Sequence, residues 1–323
     1  MRRWILPEHV EDVLPGEAES LEALRRRLLD HLAEQGYRLV QPPLIEHLDS
    51  LLTGSARDLD LQTFKVVDPM SGRLLGVRAD ITPQVARIDA HLSGTQGINR
   101  FCYAGSVLRA TPAPPGMSRE VVQLGAELFG EPGIAGDREA LGLLVSTLEV
   151  AGVSRLHLDL GHVGVYRALA SGAGMGGGSE EIELFEAMRS KDLPTVRELT
   201  ARLPAAWRDG FAALASLYGP AGEVLREAAR TLPDVPAVAN ALTALAELDR
   251  VFASRVVVHV DLADLRGYHY HNGPIFSVFT AGESNAVANG GRYDGVGRVF
   301  GRARPATGFT VDLRHLNALV GRP

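Results

Sequence analysis

Two long apolar runs, INRFCYAGSVLRA and SREVVQLGAELFG, flank the segment ATPAPPGM and constrain this chain more than any other stretch. Each run carries the aromatic and branched residues of a strand. The segment between them is proline and glycine, which is turn chemistry. The pair therefore predicts a long antiparallel hairpin, and with it a mostly antiparallel sheet. Gln123 and Glu127 stand four apart in the second run, so they share one face of the strand. Polar groups facing inward from an apolar strand need partners, which marks both as functional residues.

Around this hairpin the pattern alternates between helix and strand. Residues 17–35 place Leu21, Leu24, Leu28 and Leu32 at helical spacing, with Gly36 as the stop. YRLVQPPLIEHLD reads as a strand, with Pro42 and Pro43 placing it at an edge or an interface. LQTFKVVDPMSGRLLGVRAD reads as two strands joined at DPMSG. ITPQVARIDAHL reads as a helix with Thr82 placed to cap it. A helix fits DREALGLLVSTLEVAG, and a strand fits SRLHLDLGH. GAGMGGGSE, residues 172–180, has glycines but no strand feeding it as a dinucleotide loop requires, so it reads as a hinge. Residues 179–252 read as helices rich in Ala and Leu. Strands return in RVVVHVDLADL, YHYHNGPIFSVFTAG and AVANGGRYDGV, and GFTVDLRHLNALVG reads as a strand entering a helix. The expected organisation is an α+β core over 1–170 and 253–323, with a helical insertion at 171–252.

Composition excludes several classes of function. A net charge of −6 opposes a broad nucleic-acid surface, and RRRLL near Arg25 and GRARP near Arg302 read as solvated charge. The single cysteine, Cys102, cannot form an internal disulfide and sits in an apolar run as a small core residue. No apolar stretch approaches the roughly 20 residues that span a bilayer. Acidic residues enter the N-terminus too early for a secretory signal. The expectation is a cytoplasmic chain with no membrane or nucleic-acid partner.

The ordered segments resemble the class II aminoacyl-tRNA synthetases of histidyl type. GYRLVQPPLIEHLDS is similar to motif 1, FCYAGSVLRATPAPPGMSREVVQLGAELFG to motif 2, and GGRYDGVGRVFGRARPATGFTVDLRHL to the end of the catalytic domain with motif 3. LRGYHYHNGPIF resembles the histidine signature R-G-x-D-Y-Y. The likeness runs from about Leu14 to Leu319, and the chain stops just after motif 3, where a synthetase would continue into an anticodon-binding domain. R-G-Y-H-Y-H, Arg266 to His271, resembles a paralogous branch, the ATP phosphoribosyltransferase regulatory subunits. The resemblance implies the class II synthetase-like fold.

It also assigns residues. Asp80, Gln123 and Glu127 match the groups that receive an amino-acid ammonium, with Thr82 near enough to assist. Thr82 alternatively caps its helix, and Asp80 alternatively pairs with Arg78. Arg109 matches the motif 2 arginine, suited to a carboxylate through a bidentate fork or held in a structural ion pair. Arg266 either holds the ligand carboxylate or anchors its loop. Read as strand residues, Tyr268 and Tyr270 share one face and His269 and His271 the other. His271 replaces a tyrosine that faces the imidazole in the family pattern, and it keeps hydrogen-bonding capacity. His269 and His271 have metal-ligand spacing but no third ligand, so no metal is expected. Tyr270 completes the signature's share of the site, and Tyr293 and Arg292 read as the pocket floor, with Gly290 and Gly291 allowing close approach.

The nucleotide half departs from the family. Thr111, Pro112, Pro115 and Met117 stand where a synthetase has a glutamate and basic residues, and His315 stands where motif 3 ends in an arginine. Adenylyl transfer rests on positioning and charge stabilisation, so these losses remove activation. Arg119 remains. The resemblance therefore implies a non-catalytic histidine-binding subunit without cofactor. Its partners would be a short-form ATP phosphoribosyltransferase catalytic subunit, free histidine as effector, and a second copy through motif 1, within a larger hetero-oligomer. The alternative is a histidyl-tRNA synthetase-like enzyme.

Overall fold

A computed structural model describes residues 4–53, 57–94, 96–112, 117–175 and 178–321. Pro115 of the motif 2 loop lies outside these residues, as do residues 176 and 177 of the expected hinge. The chain forms two compact units, Met1–Ser154 with Asp294–Pro323, and Arg155–Tyr293. It opens with α1 (Pro15–Glu34), β1 (Arg38–Leu39), β2 (Ile45–His47), α2 (Leu48–Leu51), α3 (Arg57–Gln62), β3 (Phe64–Val67) and β4 (Leu74–Val77). Next come α4 (Thr82–Arg87), a π-helical turn (Ile88–Leu92), β5 (Asn99–Leu108), β6 (Glu120–Phe129) and α5 (Ile134–Ala151). The second unit holds β7 (Leu156–His162), α6 (Val163–Gly172), α7 (Ser179–Arg189), α8 (Leu193–Thr200), α9 (Ala205–Leu214), β8 (Tyr218–Pro220), α10 (Ala221–Thr231), α11 (Pro236–Phe252), β9 (Val257–Asp261), β10 (Pro274–Thr280) and β11 (Ala288–Arg292). The chain returns to the first unit through a 3-10 turn (Val296–Phe300), β12 (Ala306–Asp312) and α12 (Leu313–Val320).

In the first unit the strands run β1-β5-β6-β12, with β1 parallel to β5 and the remaining pairs antiparallel. Leu124 and Leu128 of β6 face the helices, where α1 contributes Leu24, Leu28 and Leu32 and α5 contributes Leu141, Leu144 and Leu148, all buried. Each such side chain stabilises the unit by about 1.5–3 kcal/mol. The other face of β6 is left for Gln123 and Glu127. A small antiparallel sheet, β2-β4-β3, forms the DPMSG turn as expected.

The motif 1 segment is not one strand. β1 stops at Leu39 and β2 starts at Ile45 because Pro42 and Pro43 have no amide to offer a ladder. Their carbonyls are used instead: Pro42 O accepts from Arg78 Nη1 at 2.7 Å and Pro43 O from Gln84 Nε2 at 2.8 Å.

In the second unit the strands run β11-β10-β7-β9-β8, with β7 and β9 parallel. Leu158, Leu160, Val258, Val260, Phe276 and Val278 are buried on the side where α6, α10 and α11 pack. Here YHYHNGPIFSVFTAG is a strand only from Pro274. Gly267, at φ 63°, closes a turn in which Tyr270 N–H and His271 N–H both donate to Gly267 O, at 2.8 and 2.7 Å. The two-residue alternation expected across Tyr268–His271 therefore does not exist. Among the described residues no helix is long and apolar enough to cross a membrane.

Candidate functional site

In the first unit the polar face of the sheet is built on glycine. Register sets Gly105 opposite Gln123, Tyr103 opposite Gly125, and Gly308 opposite Glu127. A Cβ on Gly125 would lie 2.3 Å from Tyr103 Oη, and one on Gly308 1.7 Å from Glu127 Oε2. One on Gly105 would lie 2.5 Å from Arg78 Nη2. The three bare backbones let three large polar side chains lie across neighbouring strands.

Those side chains form one hydrogen-bonded cluster. Asp80, just after β4, accepts at Oδ1 from Gln123 Nε2 at 2.8 Å and from Thr82 N–H at 3.0 Å. Gln123 Oε1 accepts from Ile81 N–H at 2.9 Å, so both ends of its amide are assigned by partners. Tyr103 donates to Glu127 Oε1 at 3.0 Å, and Thr82 Oγ1 lies 3.0 Å from Tyr103 Oη. The phenol has one proton, so Thr82 donates to Tyr103. Glu127, Gln123 and Thr82 are 1, 4 and 6% exposed. Burial first, and then the charges of Glu127 and Asp80, hold the Tyr103 phenol far above its ordinary pKa. It remains a donor at any physiological pH.

Both structural alternatives for these residues are set aside. Arg78 donates to Pro42 O and to Ser106 O, at 2.7 and 2.9 Å, instead of pairing with Asp80. Thr82 begins α4 without capping it, and the Asp80 carboxylate takes the Thr82 N–H.

Arg109 follows β5, with its N–H donating to Arg119 O at 2.9 Å. Its charge acts on Asp312 of β12, whose carboxyl is pushed up chiefly by burial and drawn back by the N–H groups of His315 and Arg314 and by the charges of His315 and Arg109. Asp312 caps α12 through those two amides. Arg119, the retained cation, donates to Arg109 O at 3.1 Å and to Glu8 O at 3.4 Å, and lies 4.8 Å over the Phe64 ring. Thr111 Oγ1 accepts from Gln62 Nε2 at 3.0 Å.

In the second unit Tyr270, His271 and Tyr293 come together. The Tyr270 and Tyr293 rings stack at 5.0 Å, Tyr293 is 2% exposed, and His271 Nδ1 lies 3.2 Å from Arg292 O. Gly291 permits this, since a Cβ there would sit 3.0 Å from the His271 ring. His269 instead faces Phe185 and Tyr268, at 5.7 and 5.4 Å, so the two histidines do not converge. Arg266 anchors its loop: Nε donates to both oxygens of Asp264, at 2.9 and 3.1 Å.

Sequence reasoning missed Tyr103, Asp264 and Asp312. Tyr103 was legible in part, because FCYAG places it two residues before Gly105 on the same face. Asp312 had a cap signal, an aspartate directly before the helix LRHLNALV.

A histidyl-tRNA synthetase family model matches residues 9–316. An ATP phosphoribosyltransferase regulatory subunit of Thiobacillus denitrificans is 58% identical over 316 residues, covering 98% of each chain. That of Ralstonia nicotianae is 52% identical over 316 residues, covering 98% of this chain and 81% of the relative. The crystal structure of an ATP phosphoribosyltransferase regulatory subunit/histidyl-tRNA synthetase from Bacillus halodurans matches with a TM-score of 0.87 at 27% identity, over 100% of this chain and 84% of that one. The chain therefore belongs to the ATP phosphoribosyltransferase regulatory subunits, a branch of the histidyl-tRNA synthetase family.

Proposed function

We propose that this chain is the histidine sensor of an ATP phosphoribosyltransferase complex. It binds free histidine and acts on a separate short-form catalytic subunit, which carries out the first step of histidine biosynthesis in the cytoplasm. The observation that carries this reading is the hydrogen-bonded cluster of Asp80, Gln123, Thr82, Tyr103 and Glu127, buried except at the partly exposed Asp80. Two carboxylates and an amide, Asp80 reaching Gln123 from the loop after β4, offer acceptors to an ammonium. Arg109 is assigned the ligand carboxylate. Arg266, Tyr270, His271 and Tyr293 enter through the family signature, His271 being assigned the imidazole. The core over 1–170 and 253–323 with an insertion at 171–252 remains the proposed division of the chain.

Catalysis is assigned to the partner. Thr111, Pro112, Pro115, Met117 and His315 replace the phosphate-gripping groups of a synthetase, and Arg119 is occupied by backbone carbonyls. A second copy of the chain is proposed to dock on the motif 1 side of the first unit. Leu39, Leu44, Ile45 and Val66 are about half exposed there, at 50, 49, 50 and 50%, in or beside β1, β2 and β3. These four open apolar side chains are the surface assigned to that contact.

The test is phosphoribosyl transfer to ATP by the cognate short-form transferase, with and without this chain, across a histidine titration. Stimulated turnover that histidine inhibits supports the reading. No change in rate or sensitivity sinks it, and histidine-dependent ATP–pyrophosphate exchange would establish the synthetase-like alternative. Asp80→Asn and Glu127→Gln, which keep shape and remove charge, should weaken the histidine response at least roughly tenfold, because hydrogen bonds to charged groups are the strong ones.

A further inference from the structure

The loop bearing Arg266, Tyr270 and His271 is gripped from the helical part of the second unit. Arg167 of α6 donates from Nη2 to Tyr268 O at 2.9 Å and to His271 O at 3.3 Å. The same guanidinium lies 4.7 Å over the Tyr268 ring. One cation thus holds two points of the loop at once, through carbonyls and a π face. The loop's rings then enter an aromatic cluster. Tyr268 meets Tyr166 edge-on at 5.5 Å and Phe185 at 5.0 Å, and His269 meets Phe185 at 5.7 Å. Tyr166 also touches Phe185, at 6.0 Å, and Phe211 of α9, at 6.1 Å. Phe185 belongs to α7, the first helix after the glycine-rich stretch, and is half-buried. It is the residue of α7 that touches two consecutive rings of the loop.

We infer that Phe185 is a positioning residue for the histidine response: it sets the signature loop in the conformation that presents His271 and transmits the loop's state into α7 and α9. This rests on the histidine-sensing reading given above. Packed rings rearrange between discrete arrangements instead of yielding continuously. A ligand that shifts His271 moves Tyr268 and His269 on the same turn of backbone, and these press on Phe185. Conversely, a loop that has lost Phe185 samples conformations that do not bind, and apparent affinity falls by the fraction that remains competent.

The experiment uses the full chain with its transferase. Phe185→Leu keeps apolar bulk and removes the ring, while Phe185→Tyr keeps the ring. Histidine-free stimulation, the half-inhibiting histidine concentration, calorimetric histidine affinity and melting temperature are measured for each. Phe185→Leu is expected to raise the half-inhibiting concentration and the Kd together, roughly five- to tenfold, within the usual range of coupling between sites. Histidine-free stimulation and melting temperature should hold, and Phe185→Tyr should match the wild type. A Phe185→Leu complex with wild-type sensitivity overturns the inference alone. Loss of stimulation and melting temperature in step with sensitivity also overturns it, since that is a folding defect. A wild-type chain that neither binds nor responds to histidine sinks the sensing reading, and this inference with it.

Discussion

At the residue scale, the site depends on one tyrosine whose hydroxyl connects a threonine to a buried glutamate. Tyr103→Phe keeps the ring over Gly125 and removes the proton that Glu127 receives. Taking one hydrogen-bond donor away from a buried carboxylate costs about 1–3 kcal/mol. The variant should therefore fold, lose stability of about that size in urea unfolding, and bind histidine at least roughly fivefold more weakly by calorimetry. Unchanged affinity would remove Tyr103 from the site. Gly308→Ala tests the same geometry from the next strand. Its methyl would meet both Glu127 Oε2 and the Ala126 carbonyl, so Glu127 and the β6–β12 backbone must both shift. Overpacking of this kind typically costs about 1–3 kcal/mol, and histidine binding should fall with it. Wild-type binding by Gly308→Ala would show that Glu127's place across β12 is not needed.

At the element scale, α6 begins on a histidine that works only when neutral. His162 Nδ1 accepts the Gly164 N–H at 3.1 Å, capping the helix that bears Tyr166 and Arg167. Burial first, and the Arg167 charge beside it, push the His162 pKa from 6.5 down to about 4, against a smaller opposing effect of a backbone hydrogen bond. The folded pKa is depressed, so the unfolded chain binds the proton more tightly. Stability is full above the unfolded value of 6.5 and is lost as pH falls toward about 4. The loss should be on the order of 2–3 kcal/mol. Urea midpoints between pH 7 and 4 should fall for the wild type. They should fall less for His162→Asn, which caps without titrating. Parallel curves would show that other groups carry the acid sensitivity.

At the scale of the whole molecule, the first unit is discontinuous, and its returning segment must be fastened to residues far back in the chain. Arg304 does this: Nη1 reaches Asp89 Oδ1 at 2.9 Å, Nη2 donates to Gly97 O, and the two ionic side chains are 8 and 2% exposed. Asp89 sits in the π-helical turn and also accepts from Asn99 at 2.5 Å. Removing one partner of a buried pair costs about 3–5 kcal/mol, because the other charge is stranded. Arg304→Met should lower the melting temperature strongly, and Arg304→Met with Asp89→Leu should recover part of it. No recovery in the pair would mean that the contact to Gly97 O, or the Asn99 amide deprived of Asp89, outweighs the ion pair. The proposed self-association belongs to the same scale. Ile45→Glu with Val66→Glu should yield a folded monomer by light scattering, and a persistent dimer would exclude that face.

Much of this was legible in the order of residues. Leucine spacing marked α1, aromatic and branched residues on either side of a proline- and glycine-rich turn marked β5 and β6, and the spacing of Gln123 and Glu127 placed both on one face. These are local patterns, set by backbone geometry that neighbouring residues share. The motif likeness likewise pointed to Asp80, Thr82, Gln123 and Glu127, which fold into one cluster. What the tertiary structure decided was every pairing across distance. Gly125 lies under Tyr103 and Gly308 beside Glu127 only because of strand register, and register is set by side-chain packing between segments far apart in sequence. Arg78 ends on carbonyls and not on Asp80 because the proline-broken strand brings Pro42 O within reach. The signature expected as a strand closes into a turn because Gly267 adopts a positive φ and two amides converge on its carbonyl. Tyr268–His271 reads as alternating by residue type, and only the turn directs those rings onto Phe185, Tyr166 and Tyr293.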